Sequence, residues 1–305
     1  MTALQGEAVA QGSSRLDLGR VIGRTFGAIG ANFLTFFLLA MLLAALPSAL
    51  IRMSFVYLTS FLLGSDNPLA YGTFALLIVS AANLVAAIPA FVLIGALTQG
   101  AIVHYNGGRA SFGECLSTGL SRLLVLTGLG IVTFLGLILW FLPVLIPGLF
   151  LGVIAGTALA QAGNYLSGSI IGAVVALAAL IPVAMAIIRW SVAAPALVAE
   201  RTGIMAAFRR SGDLTRNNRW AIFLLALIWA VISFGIQWTV NFVGASALLN
   251  SADTSAAAGW LVFGFAILIS SLNTMILATG QAAIYYELRV MKEGATSDEL
   301  AKIFD

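Results

Sequence analysis

The side chains in this sequence that could do chemistry are few, and arginines concentrated in one stretch stand out among them. The segment AFRRSGDLTRNNRW, residues 207–220, holds four arginines and one aspartate, although charged residues make up only 9% of the chain. Guanidinium groups stay charged in proteins and hydrogen-bond well to carboxylate and phosphate oxygens. The segment therefore predicts contact with an anionic group, such as the phosphate of a lipid headgroup or an acidic surface of a partner. The alternative is that these arginines only set the topology and anchor the chain at the membrane.

Groups for catalysis or metal binding are scarce. The single cysteine, Cys115, and the single histidine, His104, cannot form a thiolate or imidazole cluster for zinc or iron. The sequence contains no Walker loop, no G-x-S-x-G motif and no H-E-x-x-H motif. The carboxylates fall at predicted interfaces or in loops, which argues against a proton pump with a buried carboxylate relay. We therefore expect no catalytic residues, no metal and no cofactor.

The elements that must position these arginines are membrane-spanning helices. Hydrophobic residues make up 61% of the 305 residues, and the mean hydropathy is +1.04. A helix needs about 20 apolar residues to cross a bilayer. Such runs predict an all-α integral membrane protein with six transmembrane helices, at about 33–51, 73–103, 123–145, 168–190, 219–240 and 259–285.

One stretch leaves the number of spans open. The apolar run that starts at residue 123 continues to residue 161 and is almost long enough for two spans. Because proline disrupts helical hydrogen bonding, we expect Pro143 and Pro147 to bend residues 143–167 into an interfacial or re-entrant piece. A seventh span in this region is the alternative.

The basic residues predict the orientation. All lysines and arginines except Arg52 fall in the N-terminal segment, the connections 104–122 and 189–219, or the C-terminal end. Basic connections stay on the cytoplasmic side. We therefore expect a multi-pass protein of the bacterial inner membrane with both termini cytoplasmic. The predicted parts are a flexible N-terminal tail at residues 1–14, a single membrane domain at residues 15–290 and a cytoplasmic C-terminal tail at residues 291–305.

The membrane domain reads as three weakly similar units, residues 15–107, 108–201 and 202–290. Each begins with a segment whose apolar residues share one helical face, and Leu18, Phe112 and Ile204 occupy comparable positions. A helix with arginines on its polar face and low net hydrophobicity lies in the headgroup plane. The pattern predicts three repeated hairpins, each preceded by a cytoplasmic amphipathic interfacial helix. An unrelated array of membrane hairpins is the alternative.

Two sets of residues are candidates for function on these grounds. The arginines expected to contact headgroups or a partner are Arg20, Arg24, Arg209, Arg210, Arg216 and Arg219. Polar side chains inside spans are costly in hydrocarbon and often functional. Those that could line a polar path are Asn83, Gln99, Gln237, Asn241, Asn273 and Gln281. Hydrogen bonding between helices is their alternative role.

The segment IIRWSVAAPALVAERTGIMAAFRRSGDLTRNNRWAIF, residues 187–223, resembles the glycerophosphoryl diester phosphodiesterase membrane-domain-like family. That family has an arginine at the end of a span, a proline six residues on, and a short helix reading R-S-x-x-L-T-x-x-N before an aromatic residue. The matching residues here are Arg189, Pro195, Arg210, Ser211, Leu214, Thr215, Asn218 and Trp220. The resemblance implies a bacterial six-span membrane module, without the separate barrel domain that carries the family's phosphodiesterase activity.

The function expected is a non-enzymatic inner-membrane module that binds phospholipid or organises a membrane complex, with a role in lipid or envelope physiology. Its expected partners are anionic phospholipid of the inner leaflet and a membrane protein or second copy of the chain. Nucleic acid is excluded, because the basic face has no aromatic residues for base stacking. The alternatives are a transporter or flippase-like carrier of a small amphiphile and, more remotely, an integral membrane enzyme using Glu200, Glu287 and His104.

Overall fold

The computed structural model describes residues 16–51, 54, 68–161, 174, 181–249 and 256–293. All regular secondary structure within these ranges is helical. The predicted N-terminal tail lies outside the described residues, as do Arg52, residues 162–167 of the predicted bent piece and nearly all of the C-terminal tail.

We label nine helices in chain order. They are α1 Leu18–Ala31, α2 Phe33–Ala40, α3 Pro68–Tyr105, α4 Phe112–Ser121, α5 Leu123–Gln161, α6 Ala193–Glu200, α7 Ile204–Thr215, α8 Arg219–Leu249 and α9 Ala256–Glu293. A π-helical turn, Met41–Ala45, continues α2, and the backbone remains helical to residue 51. Residues 181–190 are also helical and lead into α6 through a two-residue turn.

Six stretches of the described chain are helical, long and apolar enough to cross a membrane. They are Phe33–Ile51, Ser80–Tyr105, Leu123–Leu142, Ile181–Glu200, Arg219–Val240 and Phe263–Glu293. The prediction of six helices of this kind is confirmed, and the protein has the make-up of a multi-pass membrane protein. The share of a span that is buried inside the protein is highest for Ile181–Glu200, at 44%, and lowest for Arg219–Val240, at 6%. Arg219–Val240 therefore lies at the periphery.

Helix α5 differs from the predicted bent piece. It continues through Pro143 and Pro147 to residue 161 as one helix of 39 residues. At 1.5 Å per residue such a helix is about 58 Å long, well beyond the roughly 30 Å of hydrocarbon. Its second half therefore extends the spanning segment instead of forming a separate element.

Three short helices pack against the ends of spanning segments: α1 against α9, α4 against α3, and α7 against α6, which ends the span Ile181–Glu200. Each turns one face inward. The buried residues are Val21, Thr25, Ala28 and Ile29 in α1, Cys115 and Gly119 in α4, and Ala207, Ser211, Leu214 and Thr215 in α7. These contacts hold the three short helices in fixed positions beside the ends of the long helices.

Glycines allow the closest of these approaches. A Cβ atom on Gly95 of α3 would lie 3.1 Å from the Cα atom of Gly119 in α4, so the two backbones nearly touch. A Cβ on Gly100 would lie 3.1 Å from the Cys115 sulfur. Small residues let helix backbones pack this tightly, and Cys115 is buried as a result.

Two asparagines join the short helices to distant parts of the chain. The Asn32 side-chain oxygen accepts a hydrogen bond from the Ala110 N–H at 2.8 Å, just before α4. The Asn218 side-chain oxygen accepts one from the Leu16 N–H at 2.8 Å, just before α1. Both asparagines are buried. Each bond therefore satisfies a backbone donor that would otherwise be costly to bury.

Candidate anion-binding site

Four arginines from separate parts of the chain surround one open pocket of about 440 Å³. Arg189 comes from the end of the helical segment 181–190, and Arg209 comes from α7. Arg216 follows α7, and Arg219 is the first residue of α8. Gly212 and Asp213 complete the lining. The site thus lies where α7 meets the end of the helical segment 181–190 and the start of α8.

The turn between α7 and α8 determines where Arg216 and Arg219 lie. Arg216 has an extended backbone, with φ −59° and ψ 134°, which ends α7. Asn217 then has a φ of 73°, in the left-handed region. Asparagine enters this region more readily than most residues. The tight turn allows α8 to begin at Arg219, so both arginines reach the same pocket.

Two contacts fix Arg189 beside α7. The Ser211 hydroxyl donates a hydrogen bond to the Arg189 backbone carbonyl at 2.8 Å. A Cβ atom on Gly212 would lie 3.2 Å from Arg189 Nε, so the glycine leaves the space in which the arginine side chain lies. The sequence indicated Arg189 and Ser211 as motif residues, but it did not indicate that Gly212 and Asp213 line a pocket with the arginines.

The pocket has an excess of positive charge. None of the ion pairs found in the described part of the chain includes Arg189, Arg209, Arg216 or Arg219. Four arginines against one aspartate leave the lining with three uncompensated charges. Arg219 Nε is also buried without a hydrogen-bond acceptor among the described residues. A buried donor left unpaired costs about 1–3 kcal/mol, more when charged.

Arg210, next to Arg209 in sequence, has a different environment. It donates from Nε to the Glu200 carboxylate, at 2.8 and 3.1 Å to its two oxygens, and from Nη2 to Glu293. Burial opposes the charged form of Arg210, but the hydrogen bonds to Glu293 and Glu200 outweigh it and hold the pKa of the guanidinium above its usual value. The Tyr285 hydroxyl also donates to Glu200, at 2.8 Å. This cluster fastens α7 to α6 and α9.

Arg20 and Arg24 of α1 are likewise engaged by carboxylates. Arg24 forms an ion pair with Glu287, which is only 3% exposed, and lies 4.7 Å from the centre of the Tyr286 ring. Arg20 lies 3.3 Å from Asp17 and 3.9 Å from Glu287. The structure thus divides the six predicted arginines: Arg209, Arg216 and Arg219 line the pocket, while the other three hold helices together.

The remaining motif residues form the frame of the site. Leu214 packs in an apolar cluster with Tyr285, and the Thr215 hydroxyl donates to the Ser211 carbonyl at 2.9 Å. Pro195 is buried within α6, and Asn218 binds the Leu16 N–H. These residues hold α7 against the bundle, and the pocket arginines project from that frame.

Of the residues predicted to line a polar path, the four whose side chains the structure describes do not line the arginine pocket. Asn273 accepts a hydrogen bond from the Ser233 hydroxyl at 2.9 Å, which links α9 to α8. Gln237, Gln99 and Gln281 are half-buried on α8, α3 and α9. The side chains of Asn83 and Asn241 lie outside the described set. The polar path stays a prediction.

Comparison with known proteins gives a family but no function. No curated protein matches the chain, and no solved structure does. A family model matches residues 16–288, a range that contains the whole pocket and both asparagine contacts. The chain therefore belongs to the family described as a domain of unknown function, DUF7847.

Proposed function

We propose that the protein is a non-enzymatic membrane module that binds an anionic phospholipid headgroup in the four-arginine pocket. One observation carries the proposal: four guanidinium groups line one pocket, and none of them forms a salt bridge among the described residues. The neighbouring Arg210, in contrast, has two carboxylate partners. Like charges held close together repel, so an anionic ligand would stabilise the arrangement. Phosphate is a preferred partner of the guanidinium fork.

The surroundings of the pocket favour a lipid as the source of that phosphate. Trp220, next to Arg219, is 83% exposed, and Trp190, next to Arg189, packs edge-on against Phe208 with ring centres 5.2 Å apart. Tryptophan is enriched at the level of the lipid headgroups. Trp220 stands beside Arg219 at the start of the apolar span Arg219–Val240, which is the depth at which a phospholipid phosphate would lie.

We also propose that the fold consists of three related hairpins, each preceded by an interfacial helix. Asn32 and Asn218 occupy the same position relative to the starts of α1 and α7, and each accepts from the backbone N–H just before another short helix. Arg24 and Arg210 also occupy equivalent positions, and each pairs with the glutamate near the end of a spanning segment, Glu287 or Glu200. These paired contacts relate the units that begin with α1 and α7 and support an internal repeat between them.

This repeat provides an internal control for the role of the pocket. When α1 is aligned with α7 on the paired contacts, the positions of Arg209, Arg216 and Arg219 are occupied by Gly23, Gly30 and Phe33. The equivalent arginines Arg24 and Arg210, which hold helices, recur in the two units, and the pocket arginines do not. The fold therefore does not require arginines at the pocket positions, and this favours a binding role over an anchoring role.

The charge distribution supports a cytoplasmic location for the pocket. By the positive-inside rule, the basic connections of a bacterial inner-membrane protein face the cytoplasm, and both termini would lie there. Arginines near that leaflet gain on the order of 1 kcal/mol each from anionic lipid. A cysteine introduced at Arg109 would then react with an impermeant thiol reagent in inside-out vesicles only; reaction in right-side-out vesicles would overturn this orientation.

The resemblance of residues 187–223 to the glycerophosphoryl diester phosphodiesterase membrane-domain-like family supports a role in lipid or envelope physiology, including the organisation of a membrane complex. The motif residues Arg189, Ser211 and Asn218 hold or line the pocket in this chain. We propose a relationship at the level of this membrane module alone, with no enzymatic activity attached.

Mass spectrometry of co-purified lipid tests the proposed function. The protein would be extracted from its native membrane in a mild detergent, alongside a variant with Arg209→Gln, Arg216→Gln and Arg219→Gln. The wild type should retain anionic phospholipid that the triple variant loses. Arg109→Gln, an exposed arginine in the α3–α4 connection, is the matched control and should behave as wild type. Equal retention by the triple variant would overturn the proposal.

A further inference from the structure

We propose that the ligand of the four-arginine pocket carries two phosphate groups within one headgroup. This inference rests on the proposed function and narrows the class of ligand. The two phosphates could be adjacent, as in a lipid pyrophosphate, or separated by a short linker, as in a lipid with two phosphodiesters. The shared chemistry is a compact group with at least four free phosphate oxygens.

The number of donors in the pocket exceeds what a single phosphodiester can accept. Each guanidinium carries five N–H donors in a planar fork. A phosphodiester offers two non-bridging oxygens and one negative charge, and a single arginine can engage both oxygens in a bidentate pair. Four arginines around one phosphodiester would leave most of their donors to water, since the pocket is open and Arg209 and Arg216 are exposed. A second phosphate supplies further charged acceptors, which form stronger hydrogen bonds than neutral ones do.

The charge balance leads to the same conclusion. The lining keeps three uncompensated positive charges after Asp213 is counted. The Lys292 ammonium donates a hydrogen bond to the Asp213 backbone carbonyl, which places another cation at the edge of the pocket. A single phosphodiester would neutralise one of these charges. A headgroup with two phosphates carries two or three negative charges and matches the lining.

The dimensions of the pocket allow this occupant. About 440 Å³ of open space lies between the arginines, within the 300–1,000 Å³ range of ordinary ligand pockets. Gly212 keeps the floor of the pocket free of a side chain where Arg189 crosses α7. The pocket is open, so a headgroup can enter it from outside.

Binding measurements on the full-length protein in phosphatidylcholine nanodiscs test the inference. Farnesyl monophosphate and farnesyl pyrophosphate are probes with the same chain and one or two phosphates. The second pair is cardiolipin, which carries two separated phosphodiesters, and phosphatidylglycerol, which carries one. In at least one of the two pairs, we expect the lipid with two phosphates to bind at least tenfold more tightly than the lipid with one. The pair that shows this difference tells whether the two phosphates of the ligand are adjacent or separated by a linker. Arg189→Gln should reduce that preference to under threefold, whereas Arg109→Gln, which lies outside the pocket lining, should leave the preference unchanged.

The outcomes separate this inference from the proposed function. Equal affinity within both pairs, with binding still lost in the arginine triple variant, would overturn the two-phosphate ligand and leave the lipid-binding function standing. No binding of any of the four lipids would overturn both. Inorganic pyrophosphate that binds as tightly as farnesyl pyrophosphate would support the two-phosphate inference and overturn the assignment to a lipid.

Discussion

The Asn218 side-chain oxygen accepts a hydrogen bond from the backbone N–H of Leu16 at 2.8 Å, across 202 residues of sequence. Asn218 ends the turn that carries Arg216 and immediately precedes Arg219. The position of two pocket arginines therefore depends on a contact with Leu16, two residues before α1. Asn32 makes the corresponding bond to Ala110.

Loss of either asparagine side chain should destabilise the fold. Asn218→Ala and Asn32→Ala each leave a buried N–H without its acceptor, and we expect the free energy of unfolding to fall by about 1–3 kcal/mol in each case. Thermal unfolding in detergent would measure this. Asn106→Ala, in an exposed turn, is the control. An unchanged melting temperature for both buried variants would contradict the paired role that supports the repeat.

Replacing the adjacent arginines of α7 should have different effects: loss of Arg210 should lower stability, and loss of Arg209 should weaken lipid binding. Arg210→Gln removes the hydrogen bonds to Glu200 and Glu293 and should lower the free energy of unfolding by about 1–3 kcal/mol. Arg209→Gln should leave stability within about 0.5 kcal/mol, as for an exposed substitution, and weaken binding of anionic lipid. Parallel thermal and lipid-binding measurements on the two variants test this, and loss of stability in Arg209→Gln would contradict the assignment.

Filling the pocket should block binding without any change in charge. Gly212→Leu places a side chain where Arg189 now lies, and we expect lipid affinity to drop at least tenfold. Leucine has a higher helix propensity than glycine, by roughly 1 kcal/mol, so the helix itself should not be weakened. Gly23→Leu is the control, because a Cβ on Gly23 meets nothing within 4 Å. Retained affinity in Gly212→Leu would place the ligand elsewhere.

The sequence predicted some parts of this structure and not others, for physical reasons. The spanning helices follow from continuous apolar runs, since a chain in lipid must satisfy its own backbone. Arg209 and Arg210 are adjacent in sequence, yet a step of about 100° around a helix sends them to different partners. The position of Arg189 over Gly212 depends on the packing of two segments, and residue types alone do not indicate it.

The Cys115 thiol should be unreactive in the folded protein. Burial raises its pKa to about 11, with the charge of Glu114 adding to the effect, and the thiolate is the reactive form. At pH 8 roughly one thiol in a thousand is therefore ionised, against about a quarter for a free cysteine with a pKa near 8.5. Because the pKa is raised, ionisation and alkylation should increase with pH up to about 11.

Iodoacetamide labelling followed by mass spectrometry tests this prediction. Native protein at pH 8 should remain unlabelled at Cys115, and unfolded protein should be labelled completely. Ser117→Cys in a Cys115→Ala background places a thiol at an exposed position of α4 and is expected to react readily. Rapid labelling of native Cys115 would show that the contact between α3 and α4 opens.

The most direct test of the four-arginine pocket is solid-state NMR of the protein in lipid, with nitrogen-15 in its arginines. Guanidinium groups hydrogen-bonded to phosphate place nitrogen about 4 Å from phosphorus. The predicted result is strong coupling between lipid phosphorus and arginine nitrogen in the wild type. It should be lost when Arg189, Arg209, Arg216 and Arg219 are all replaced by glutamine. Absence of the coupling in the wild type, or the same coupling in the variant, would contradict the account.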